Sequence, residues 1–100
     1  MKGEIIVFRL PPKTNNTDIS KFCQQFYGQN TSSHKGKYQY RRKGLLDTIP
    51  HIKLIRGVLI TLETYVDQII NFLEGYTAEF VTRKIELAPD DEEILSKSNE

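Results

Sequence analysis

The period of apolar positions changes along this chain, and each change marks an element. Residues 4–10, EIIVFRL, are apolar on both alternating faces, Ile5 and Val7 against Ile6, Phe8 and Leu10. This pattern predicts a central strand covered on at least one side. Pro11-Pro12 ends it, because proline cannot donate to a ladder. Ile19, Phe22, Cys23 and Phe26 then recur at i, i+3, i+4 and i+7, which is one face of a helix. Asn16 or Thr17 is the expected cap, Asp18 suits the first turn and Gly28 the end. Residues 29–36, QNTSSHKG, read as a polar loop.

A second strand begins near Lys37, with Tyr38, Tyr40 and Arg42 on one face and Lys37, Gln39, Arg41 and Lys43 on the other. Gly44 to His51 reads as its end and a turn. A third strand, Lys53 to Glu63, alternates Val58, Ile60 and Leu62 with Leu59 and Thr61, and Gly57 marks a bulge or a close backbone approach. A second helix, Tyr65 to Gly75, has Val66, Ile69, Ile70 and Leu73 as its buried stripe and Thr64 as its cap, with Asp67 approximating a capping box. The last strand is Glu79 to Leu87, stopped by Pro89; Asp90 to Leu95 reads as one helical turn, and residues 96–100 as a frayed tail.

The resulting order is strand, helix, strand, strand, helix, strand. It predicts an α+β fold of ferredoxin-like βαββαβ type, with a four-stranded antiparallel sheet and two helices on one face. The expected order across the sheet is four, one, three, two, which places the strand from Lys37 at an edge. At 100 residues the chain is long enough for one core, so residues 1–95 are expected to be a single domain.

Composition adds one strong feature. The net charge of +1 hides an asymmetry: residues 1–56 hold 11 Lys/Arg against 3 Asp/Glu, and residues 57–100 hold 3 against 10. No carboxylate occurs between Ile19 and Leu46. Within that span HKGKYQYRRK (residues 34–43) interleaves Lys35, Lys37, Arg41, Arg42 and Lys43 with Tyr38 and Tyr40. Cations suit phosphates and flat rings suit bases. With Lys53 and Arg56 from the neighbouring strand, these residues form the expected nucleic-acid surface, on a sheet whose second face is free of helices. DNA and RNA both fit. The competing reading is a solvated edge strand, where charge discourages unwanted pairing, or charges cancelled by the acidic half of the same or a sister chain.

Other chemistry is thin. His34, Asp47 and His51 are the polar candidates for acid–base work, and a small nuclease using His51 and Asp47 is an alternative function. Asp47-Thr48-Ile49-Pro50 is equally ordinary turn chemistry. No strong metal-ligand spacing and no glycine-rich phosphate loop is present, so no cofactor, metal or catalytic residue is expected. Cys23 lies on the apolar helix face and reads as a packing residue, and a single cysteine excludes an internal disulfide. No apolar run is long enough to span a bilayer and no secretory h-region is present, so a cytoplasmic protein is expected. A homodimer or a pure interaction module is also compatible, since strands of this kind of sheet pair readily at their edges. A ligand-sensing role rests on analogy alone.

The run KYQYRRKGLLDTIPHIKLIRGVLI with FLEGYTAEFVTRKIEL, spanning residues 37–87, resembles a family of small archaeal proteins. The resemblance implies a compact single domain and attaches no mechanism. The expected fold is also similar to that of CRISPR-associated Cas2 proteins. Those carry an aspartate at the end of strand one, where this chain has Arg9-Leu10-Pro11, so metal chemistry of that type is not expected. The first strand loosely resembles an RNA-recognition motif, but Val58 and Ile60 stand where its stacking aromatics belong.

Overall fold

Two apolar faces on one strand call for a neighbour on either side, and the first strand has both. The computed structural model describes residues 2–33 and 38–97, apart from the side chains of 31–33, 38, 39 and 97. Along the chain come β1 (Lys2–Arg9), α1 (Asn16–Tyr27), β2 (Gln29–Ser33), β3 (Tyr38–Arg42), β4 (His51–Ile55), β5 (Val58–Leu62), α2 (Val66–Gly75), β6 (Glu79–Glu86) and α3 (Pro89–Lys97). Short 3-10 turns occupy Leu45–Thr48 and Glu63–Tyr65. The fold is α+β, and its contacts fall into two compact units: Met1–Lys13 with Ile49–Glu100, and Thr14–Thr48.

The first unit is built on a sheet of order β4-β5-β1-β6 in which every neighbouring pair is antiparallel. β1 pairs with β5 from Gly3↔Leu62 to Val7↔Val58, and with β6 from Lys2↔Glu86 to Arg9↔Glu79. The chain order, β-α-β-β-β-α-β-α, does not match the expected βαββαβ; only the four strands of this sheet, counted among themselves, lie in the order four, one, three, two. The third strand expected at Lys53–Glu63 is a hairpin, β4 and β5, and β4 takes the position expected for the strand at Lys37. Gly57 makes the hairpin possible. Its φ is +86°, and an added Cβ there would lie 2.7 Å from the Phe8 carbonyl oxygen. Phe8 N–H donates to the Gly57 carbonyl at 2.8 Å, so the turn is tied back to β1. Of the two expectations for Gly57 the close backbone approach is the one met there; the register shift lies between Lys53 and Ile55.

The sheet is apolar on both sides. Ile6, Phe8 and Leu59 point to one face and are buried, and α2 buries Val66, Ile69 and Leu73 while packing against β6. α2 links β5 to β6, which run parallel to one another on either side of β1. Thr64 is not its cap: the 3-10 turn Glu63–Tyr65 leads in, and Tyr65 at the cap position accepts no side-chain bond. On the opposite face Ile52, Ile60 and Ile5 form one cross-strand row. That row, with Leu62 and Ile85, packs around Ile60, Leu87 and the fully buried Leu95. The expected single turn at Asp90–Leu95 is therefore a nine-residue helix, α3, and it covers part of the face expected to be free. Pro89 opens it at a position where no donor is required, with Asp90, Asp91 and Glu92 in its first turn. Among the described residues no helix is long and apolar enough to cross a membrane.

The second unit holds α1, capped by Asn15 rather than Asn16 or Thr17: Asn15 Oδ1 accepts from Asp18 N–H at 2.8 Å. Phe22 and Phe26 are buried and stack at 5.1 Å, and Cys23 is half-buried beside them. Gly28, with φ +89°, ends the helix as expected. Residues 29–33 are not loop but strand, paired with β3 in a separate two-stranded ribbon.

Replacing Leu95 by Ala leaves a cavity under α3 and is expected to lower the unfolding free energy of the first unit by about 2–4 kcal/mol. Urea titration followed by circular dichroism reads this, and an unchanged midpoint would show that α3 adds nothing to the core.

Candidate nucleic-acid interface

The basic segment is not an edge of the main sheet. Its strand, β3, pairs antiparallel with β2 from Gln29↔Arg42 to Ser33↔Tyr38. Its expected partner strand, with Lys53 and Arg56, belongs instead to the β4–β5 hairpin of the other unit. The structure therefore places Tyr38, Tyr40, Arg41 and Arg42 on the ribbon and Lys43 just after it, all in one unit. Lys35, Lys37 and His34 lie outside the described residues.

The ribbon's cations differ in use. Arg42 and Lys43 are exposed, and Tyr40 is 50% exposed on the strand face it shares with Arg42. Arg41 points the other way and is spoken for. Its Nη2 donates to the Tyr27 carbonyl at 2.7 Å and to both oxygens of Asp47 at 2.8 and 2.9 Å, and Nη1 reaches Asn30 Oδ1 at 3.3 Å. Asp47 Oδ2 also accepts from Gly44 N–H at 2.8 Å. This clamp joins the end of α1, β2, β3 and the 3-10 turn. Two glycines leave room for it: a Cβ on Gly44 would meet the Gly28 nitrogen and the Phe26 carbonyl, and one on Gly28 would meet the Arg41 guanidinium. Thr48 Oγ1 donates to the Leu45 carbonyl at 2.8 Å and closes the turn.

Arg41 was expected among the ligand contacts, but its guanidinium is a structural brace. The signal that could have found it was in the sequence: Asp47 is the first carboxylate after Asp18, six residues beyond Arg41 and beside a turn. Asp47 and His51, the candidate acid–base pair, have local duties too. Asp47 serves the clamp, and His51 Nδ1 lies 2.8 Å from the Ile49 carbonyl, so Nδ1 carries the hydrogen there. Thr61, fully buried, donates to the Pro50 carbonyl at 2.8 Å and holds the same segment from β5.

Charge divides with the units. The second carries six Lys/Arg and two Asp/Glu, a net +4, and the first carries eight and eleven, a net −3. Within the basic unit the sequence span 29–43, which contains both strands of the ribbon, has five cations and no carboxylate. Compared with protein-family models, curated proteins and solved structures, the chain matches none.

Replacing Asp47 by Ala removes the clamp's acceptor and the Gly44 contact together. With the Arg41 side chain 45% exposed, solvent screening keeps the expected loss to about 1 kcal/mol. A lowered melting temperature by differential scanning fluorimetry is the readout, and an unchanged one would remove the clamp from the account of the unit.

Proposed function

We propose that the chain binds nucleic acid through the β2–β3 ribbon, without catalysis. One observation carries this reading: β2 and β3 pair as a two-stranded antiparallel ribbon, and the sequence span 29–43 that contains them holds five cations, two tyrosines and no carboxylate. A two-stranded ribbon is narrow enough for a nucleic-acid groove. Arg42 and Lys43 would neutralise phosphates, with Lys35 and Lys37 of the same sequence span as further candidates, and Tyr40 would meet a base or sugar with its exposed ring. Gln29 and Asn30, opposite Arg42 and Arg41, add uncharged hydrogen-bonding groups to the same element. Arg41 contributes by holding the ribbon to α1. In this reading the main sheet is a ferredoxin-like core of four strands, and the ribbon is an insertion between α1 and the core's second strand.

The test is a fluorescence-anisotropy panel of single- and double-stranded DNA and RNA across a salt series. With four cations engaged on duplex, log affinity is expected to fall with log salt at a slope of about −3 to −4. The double substitution Arg42→Ala with Lys43→Ala is expected to weaken binding and to make the slope shallower by about 2, leaving the melting temperature unchanged. Arg41→Ala is expected to do the reverse, lowering the melting temperature first. The absence of binding to all four ligands at low salt would overturn the reading.

A further inference from the structure

The two edges of the main sheet are not alike. β4 is five residues long and interrupted by a bulge, the sort of irregularity that keeps an edge from pairing further. β6 is regular for eight residues, pairs with β1 along its whole length, and among the described residues has no strand on its other side. Its backbone groups on that side are a template for another strand.

The side chains of β6 restrict what that strand can be. Glu79, Val81 and Arg83 alternate on the face that α3 covers in part, and all three are exposed. Val81 is 50% exposed and ends a cross-strand row, Ile55, Val58, Val7 and Val81, in which Val7 is 43% and Ile55 66% exposed. Leu95 covers the next row along and stops short of this one.

We propose that a second copy of the chain occupies this edge, β6 against β6, antiparallel about a twofold axis through Val81. Residues directly opposite in such a pair share a face. Centring on Val81 sets Val81 against its own copy, Glu79 against Arg83 and Arg83 against Glu79. The two apolar rows then join end to end across the axis. Glu79 already pairs with Arg9 at 2.5 Å in its own chain, so the acid lies between two cations. Among the described residues Arg83 donates to the neighbouring Thr82 carbonyl, at 2.7 Å, and its exposed side chain is placed to reach across. Neighbouring registers fit less well. Centring on Thr82 sets Val81 against Arg83, and centring on Arg83 or Lys84 sets like charge against like. Centring on Ile85 matches Lys84 with Glu86 but keeps only residues 84–86 paired within the strand, whereas centring on Val81 keeps residues 79–83. The same charges that deter indiscriminate pairing therefore admit one self-match. This interface lies wholly in the first unit and stands whether or not the ribbon binds nucleic acid.

Sedimentation equilibrium of the full chain tests the proposal with two charge reversals. Glu79→Lys and Arg83→Glu each set like charges opposite one another at both symmetric positions. Each is expected to raise the dimer dissociation constant about tenfold or more. Mixed, the two variants restore both opposite-charge contacts, and the mixture is expected to dimerise as the parent does. Circular dichroism of each variant separates lost pairing from lost fold. As a second readout, Val81→Cys in a Cys23→Ser background is expected to crosslink on mild oxidation, because opposed residues in antiparallel strands lie within disulfide reach. A monomeric parent, single variants that dimerise like the parent, a mixture that stays monomeric, or no crosslink would each overturn the proposal.

Discussion

The main sheet is governed by the demand that β1 be covered on both faces. Ile6 and Phe8 are buried on one side, and Ile5 packs into the cluster around Leu95 on the other. A strand with only one apolar face could float an open sheet surface against water, but this one cannot without leaving isoleucine and valine exposed. The two helices of this unit answer that demand unequally. α2 buries a stripe of three residues, whereas α3 contributes Leu95 as its one buried side chain. Coverage runs out before the row of Val7 and Val81, and three of the unit's exposed apolar side chains, Val7, Ile55 and Val81, lie in it.

The second unit meets the opposite problem. Its strands, QNTSS and YQYRR, hold no aliphatic residue, so an aliphatic stripe cannot fix where they lie relative to α1. A guanidinium fork does so instead: Arg41 reads the last carbonyl of α1 and a carboxylate on the turn beyond β3. Such a joint depends on geometry and on two glycines standing aside, and it leaves the outward face of the ribbon with its charge unspent. The unit devotes one of its cations to its own architecture and presents others to solvent.

What could be read from the sequence follows the same division. β1, α1, α2 and β6 were legible because each carries a periodic apolar set, whereas the strand expected at the sheet's far edge was not the one found there. β2 was not, because QNTSS is polar at every position and offers no alternation to detect. The β4–β5 hairpin was read as one strand because Ile55 and Val58 continue the apolar pattern through the turn; only Gly57 hinted at the break. α3 looked like a fragment because a single leucine among acids does the packing. At the candidate site the charged residues were visible one by one, yet the sequence could not separate Arg41 from Arg42. Their difference is a tertiary one, set by which side of the ribbon finds Asp47.

The interleaving of the two units has a consequence for how the chain acquires its shape. β1 is made before either of its sheet neighbours, which both lie beyond the whole second unit, and its pairing with β6 spans residues 2 to 86. Contacts of such long separation close slowly, because the loop between them must first lose its freedom. The second unit is contiguous and its contacts are local, so it can condense ahead of the sheet and shorten the effective span that β1 must bridge. A nascent strand, apolar on both faces, meanwhile waits without partners, the kind of segment that invites association with other chains until its own arrive.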